Sequence, residues 1–123
     1  MARHNQVGKW GERLALEHLV RQGYAIRETN WKLTHFEIDI IAMHNNRLVF
    51  VEVKTRTSHE DNPLAAIDLR KMRKMVSAAN AYVRHQNLPH EVQYDIITIN
   101  GTPDNYKIRH IPDAFLSPLR AYR

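Results

Sequence analysis

Apolar and polar residues follow two rhythms along this chain, and the points where the rhythm changes outline seven elements. From about Val7 to Arg21, Ala15, Leu16, Leu19 and Val20 recur at helical spacing, which predicts an amphipathic helix. Gly23 supplies its stop, and Tyr24 to Asn30 reads as a first strand. Phe36 to Met43 and Arg47 to Lys54 follow as second and third strands. The polar His44-Asn45-Asn46 turn between them is of the kind that closes a hairpin. Thr57 to Pro63 is polar and rich in breakers, so it is expected to be an exposed loop. Beyond Pro63 a long amphipathic helix is expected to about Gln86, with Ile67, Met72, Met75, Val76, Ala79 and Tyr82 turned inward. Pro89 ends that region. Glu91 to Ile99 is a fourth strand, Gly101-Thr102-Pro103-Asp104 a turn, and Tyr106 to Ile111 a fifth strand. The order α-β-β-β-α-β-β predicts an α/β fold, a mixed sheet with helices packed on it.

A length of 123 residues, without repeat, low-complexity tract or dividing linker, suits one domain over 1–123. The tail 113–123 is short and mixed and carries no assignable role. Lys and Arg number 18 against 13 Asp and Glu, a net charge of +5, which favours a polyanionic partner such as nucleic acid. There is no cysteine, so disulfides and thiolate metal sites are excluded. Met1 to Trp10 is polar and basic, and no apolar run reaches the length of a membrane span. The expectation is a cytoplasmic protein without signal peptide or membrane partner.

Strand geometry then groups the charged residues. Side chains alternate across a sheet, which puts Glu37 and Asp39 on one face of the second strand. Glu52 and Lys54 share one face of the third with Leu48 and Phe50. In the predicted hairpin, Asp39 and Glu52 converge near one end. Two neighbouring carboxylates repel, and a hard divalent ion such as Mg²⁺ or Mn²⁺ is the natural neutraliser. An ammonium at Lys54 beside them suits the orientation of water and the charge developing on a phosphate under attack. The bland alternative for Glu52-Val53-Lys54 is an exposed salt bridge at a strand end. Against it stands the buried run Leu48-Val49-Phe50-Val51, which places the charges at the rim of a core strand. Glu12 is a third oddity: at about 100° per residue it points in the direction of Leu16 and Leu19, into the apolar stripe. It serves either a donor or metal at the sheet, or the positive N-terminus of its helix.

The second helix carries Arg70, Lys71, Arg73 and Lys74, a solvated basic face by default and the best candidate for phosphate-backbone contact. Trp31 and Tyr24 are either core aromatics or stacking platforms for bases. Eight histidines are scattered without a helical H-x-x-x-H pair, which argues against zinc; His35 lies nearest the candidate site in sequence.

Taken together, Glu12 on a first helix, Asp39 within Glu37-Ile38-Asp39, and Glu52-Val53-Lys54 resemble the PD-(D/E)XK nuclease superfamily. Within it the chain is similar to the bacterial YraN-like family, which is related to archaeal Holliday-junction resolvases. The likeness runs from about Gly8 to Phe115. It includes Gly8-x-x-Gly11-Glu12-x-x-Ala15, Gly23-Tyr24, Asn30-Trp31, Glu37-Ile38-Asp39-Ile40-Ile41-Ala42 and Leu48 to Arg56. Ala66-Ile67 with Lys71, Tyr94-Asp95, His110-Ile111 and Ala114-Phe115 complete it. Three positions depart from the pattern: Phe36 stands where a glycine usually precedes Glu-Ile-Asp, Asp61-Asn62 lack the usual glycine, and Gln93 replaces an arginine.

The resemblance implies a restriction-endonuclease-like fold and a metal-dependent endonuclease acting on DNA, branched or otherwise non-duplex forms included. It implies Asp39, Glu52 and the Val53 carbonyl as ligands of Mg²⁺ or Mn²⁺, and Glu12, Asp39, Glu52 and Lys54 as the catalytic set. Lys71, with Arg70, Arg73 and Lys74, would serve the phosphates. A homodimer is the assembly that the resolvase likeness implies, since a four-way junction needs paired cuts; the sequence itself carries no interface signal. The alternative is a nucleic-acid-binding accessory protein without turnover.

Overall fold

The run Leu48-Val49-Phe50-Val51 is apolar on both sides of a pleated strand, so it needs cover on both faces. The computed structural model, which describes residues 2–58, 68–87 and 91–115, provides that cover with one helix on each side. Its elements are α1 (Ala2–Arg21), β1 (Ala25–Leu33), β2 (Phe36–His44), β3 (Arg47–Arg56), α2 (Leu69–Gln86), β4 (Glu91–Thr102) and β5 (Asn105–Ile111), in the predicted order. The strands lie β1-β2-β3-β4-β5 across one sheet. β3 and β4 run parallel, and the other neighbours are antiparallel. A parallel pair cannot be joined by a tight turn, and α2 is the crossover that joins this one.

Odd-numbered β3 residues Val49 and Val51 pack with Ile40, Ala42, Ile97 and Ile99 beneath Ala15 and Leu19 of α1. Even-numbered Leu48 and Phe50 pack with Ile41, Tyr94 and Ile96 against Met75, Val76, Ala78, Ala79 and Tyr82 of α2. Tyr82 and Phe50 are fully buried, a contribution of roughly 1.5–3 kcal/mol for a side chain such as phenylalanine.

The turns follow from local chemistry. Asn45 and Asn46 both take left-handed φ angles, 50° and 62°, which two-residue hairpins require and asparagine tolerates. Asp68 caps α2 by accepting the Lys71 amide at 2.8 Å, and Asn87, with φ 51°, ends it.

Several boundaries differ from expectation. α1 begins at Ala2, because its first turns carry no apolar periodicity to mark them. β3 continues through Thr55 and Arg56, paired with Ile99 and Asn100 of β4, and β4 itself continues to Thr102. Val20 is 58% exposed rather than inward; at about 100° per residue it lies well off the direction shared by Ala15 and Leu19. Thr57 and Ser58 are exposed as expected, while the rest of that loop, Ile67 and Pro89 lie outside the described residues.

A polar cluster is built into the α1 side of the sheet. The fully buried Asp95 carboxylate accepts from Tyr24 Oη at 2.8 Å, Gln93 Nε2 at 2.8 Å and the Asp113 amide at 3.0 Å, and pairs with His110 Nε2 at 2.7 Å. The other His110 nitrogen meets His18 Nε2 of α1 at 3.0 Å. Burial alone would push Asp95 up, but the donors from His110, Gln93, Asp113 and Tyr24 outweigh it and hold its carboxyl below the ordinary value. The expected unassigned tail therefore begins docked: Asp113 serves Asp95, the Ala114 amide bonds Tyr94 O at 2.7 Å, and Phe115 stacks on Tyr94.

Close approach of α1 to β3 depends on Gly11. A Cβ built there would collide with Thr55 Oγ1, and turning that side chain away would still leave Thr55 Cβ at a tight 3.0 Å. Gly11→Ala is expected to destabilise the protein by about 1–3 kcal/mol through overpacking, despite alanine's better helix propensity. Chemical denaturation checks this: the loss shrinks when Thr55→Ala is added, and a loss of the same size in both backgrounds would contradict the contact.

Candidate functional site

The register of β2 and β3 runs from His44 opposite Arg47 to Ile40 opposite Val51. At the next position Asp39 intervenes with its side chain: Asp39 Oδ2 accepts the Val53 amide at 2.8 Å, so a carboxylate satisfies a backbone donor of β3. The apolar residues either side of Asp39 belong to opposite layers, Ile38 toward α2 and Ile40 toward α1. Simple alternation is thus interrupted at Asp39.

Glu52 continues the side of Leu48 and Phe50 and meets α2, where Lys71 Nζ stands 3.0 Å from its Oε1. Glu12 projects from α1 and accepts Asn30 Nδ2 at 3.2 Å. Asn30 takes a left-handed φ of 50°, which asparagine adopts at modest cost. These groups surround Asp39. Burial, then the charge of Glu52 and to a lesser degree that of Glu12, push its carboxyl up to about 7, against the opposing pull of the Val53 amide and Lys71. Lys54 is half-buried on the same strand, one pleat beyond Glu52 and opposite Thr98 of β4. Among the described residues no ion pair involves it.

The donor set is two carboxylates from adjacent strands with the Val53 backbone between them. Among the described residues no three His, Asp or Glu side chains form a ready-made metal cage. Two carboxylates with open positions suit Mg²⁺, which commonly keeps several waters and takes one or two protein carboxylates. The elevated Asp39 carboxyl is the strain that such a cation would relieve.

Beside this pair a groove of about 1140 Å³ runs between His35-Phe36-Glu37 and the first half of α2, with Glu52 in its wall. Arg70, Lys71, Arg73 and Lys74 all line it. Lys71 is half-buried and turned to Glu52, while Arg70, Arg73 and Lys74 are exposed. The four cations are thus brought to one groove, whereas their spacing alone spread them over more than one helix face.

The two aromatic candidates are structural. Tyr24 is buried, bonded to Asp95 and stacked on His44 at 4.0 Å, and Trp31 packs edge-on against Tyr82 at 5.0 Å. His35 lies at the groove beside Phe36, with ring centroids 4.2 Å apart. Sequence reasoning missed the Asn30 contact to Glu12, although Asn30 stood within the quoted motif. It also missed the joining of His18 to His110, 92 positions apart, for which no local spacing exists. Gln93 donates to Asp95 at 2.8 Å and accepts from Arg47 at 3.4 Å.

Residues 11–99 match the pattern described as Uncharacterised protein family UPF0102. A UPF0102 protein of Bacteroides thetaiotaomicron is 46% identical over 120 residues, covering 97% of this chain and 99% of the relative. One from Parabacteroides distasonis is 45% identical over 123 residues, covering 98% and 100% respectively. A third, from Flavobacterium psychrophilum, is 45% identical over 116 residues, covering 94% and 98%.

Proposed function

This chain belongs to the UPF0102 family, and we propose that it is a divalent-metal-dependent nuclease hydrolysing phosphodiester bonds in DNA, branched or non-duplex forms included. The observation that carries the proposal is Asp39, which accepts the Val53 amide of the neighbouring strand and whose carboxyl is pushed up to about 7 by burial and by the charges of Glu52 and, less, Glu12. Lys71 pairs with Glu52, yet the like charges about Asp39 outweigh that one ammonium at the end of a core strand. Mg²⁺ or Mn²⁺ bound by Asp39, Glu52 and the Val53 carbonyl would neutralise the pair and polarise a phosphate.

The remaining work belongs to the chain. Lys54 orients the attacking water and offsets the charge that grows on the phosphate oxygens. Glu12, steadied by Asn30, borders the same site from α1. Arg70, Arg73 and Lys74 hold the phosphate backbone along the groove, sequence-independently and in a salt-sensitive way. Among the described residues no helix is long and apolar enough to cross a membrane.

The four cations of the groove also favour a second reading, a nucleic-acid-binding accessory protein without turnover. Duplex, single-stranded, flap and four-way-junction DNA, offered with Mg²⁺ or Mn²⁺ to wild type, Glu52→Ala and Lys54→Ala, separate the two. Wild-type cleavage that falls about 100-fold or more in each variant supports the nuclease. Equal binding by all three proteins with no cleavage anywhere would replace it with the binding module.

A further inference from the structure

We propose that Lys71 is the resident counter-cation of this site: it holds Glu52 until a divalent ion arrives, then yields the carboxylate and turns into the basic groove. The proposal rests on the reading of Asp39 and Glu52 as cation ligands and adds a coupling between ion and polyanion binding. Lys71 Nζ lies 3.0 Å from Glu52 Oε1, with the two side chains 34% and 22% exposed. Among the described residues it is the one cation of α2 in an ion pair.

The local build permits exchange. The backbone of Lys71 is pinned, because its amide donates to the Asp68 cap at 2.8 Å. The side chain beyond it is a flexible four-carbon stem, and the groove it would enter is already lined by Arg70, Arg73 and Lys74. A partly exposed Lys–Glu pair is weak. A divalent ion meets two carboxylates with twice the charge and prefers oxygen ligands, so it displaces the ammonium. The freed Lys71 then adds a phosphate contact. Ion binding and polyanion binding thereby favour each other, reciprocally, as linkage requires.

Mn²⁺ affinity measured by electron paramagnetic resonance on wild type, Lys71→Met, Lys71→Gln and Arg70→Met tests the exchange. Removing a competing cation should tighten Mn²⁺ binding about fivefold in both Lys71 variants, the order of a partly exposed ion pair. Arg70→Met removes the same charge one residue away without touching Glu52 and should change the affinity less than about twofold. Circular dichroism melts confirm folding, and the two Lys71 substitutions guard against a misfolded variant. Wild-type binding without a gain in either Lys71 variant would overturn the exchange while leaving the cation site standing. An equal gain in Arg70→Met would also overturn it, in favour of a general field effect. No Mn²⁺ binding by any of the proteins would overturn both the exchange and the metal-dependent reading.

Discussion

Asp95→Ala is expected to destabilise the protein by about 3–5 kcal/mol at pH 7, the cost of removing one partner from a buried charged network. Alanine leaves Tyr24 Oη, His110 Nε2, Gln93 Nε2 and the Asp113 amide without the carboxylate they share. These donors come from the residue before β1, from β5, from β4 and from the chain beyond β5, so four parts of the fold lose one anchor. Denaturant unfolding checks the size, and a loss below about 1 kcal/mol would show that the cluster does not hold the fold together. Asp95→Asn keeps one acceptor oxygen and should cost less. The pH dependence has a definite sign. Asp95 has a folded value below its unfolded 3.8, so its contribution is present above that value and is lost as pH falls through the folded one. His18 is held below its ordinary 6.5 by burial, then by His110 and Arg21. Its contribution is likewise present above 6.5 and declines as pH drops through the lower folded value. Acid therefore withdraws these two contributions in turn, that of His18 first, and the difference between wild type and His18→Gln isolates it from the opposite drift that Asp39 produces.

Asp39→Asn should act in the opposite direction, stabilising the metal-free protein by about 2 kcal/mol at pH 8. A carboxyl that titrates at about 7 instead of 3.8 binds its proton more tightly in the fold than in the unfolded chain. Wild-type stability therefore falls as pH rises between these values and levels off above the higher one. The displacement corresponds to about 4 kcal/mol at most, and we discount it by half because solvent and Lys71 screen the site. Asparagine cannot ionise, and its side-chain oxygen can still accept the Val53 amide. The difference between variant and wild type should thus be small near pH 4 and grow up to pH 7. A variant less stable than wild type at every pH would refute the crowding of charge at Asp39. The same substitution removes a proposed ligand, so added stability and lost cleavage are expected together, the trade-off of a strained functional site.

The fold was legible where periodicity was strong. Leu48 to Val51 announced a core strand, the two asparagines announced their hairpin, and Met75, Val76, Ala79 and Tyr82 announced the buried face of α2. Strand ends were not legible: Thr55, Arg56 and Asn100 are polar, yet they are paired in the central ladder, and backbone pairing leaves no mark in side-chain polarity. The candidate site was legible as two strands meeting at their charged ends. The interruption at Asp39 was not, because no residue type signals a carboxylate substituting for a ladder carbonyl. The Asp95 cluster was invisible for another reason. Tyr94-Asp95 and His110-Ile111 stood in the motif, but nothing local tells that His110 meets both Asp95 and His18.

The carboxylate pair as a cation site is most directly tested by thermal unfolding at pH 8 over a Mn²⁺ titration. Wild type is compared with an Asp39→Asn, Glu52→Gln double variant. An ion that binds only the folded state stabilises it by about 2.7 kcal/mol at 100 times its dissociation constant. The predicted result is a wild-type midpoint that climbs steadily with Mn²⁺ and a double variant, already more stable without metal, whose midpoint does not move. A wild-type midpoint indifferent to Mn²⁺, or an equal climb in both proteins, would contradict the assignment of Asp39 and Glu52 as its ligands.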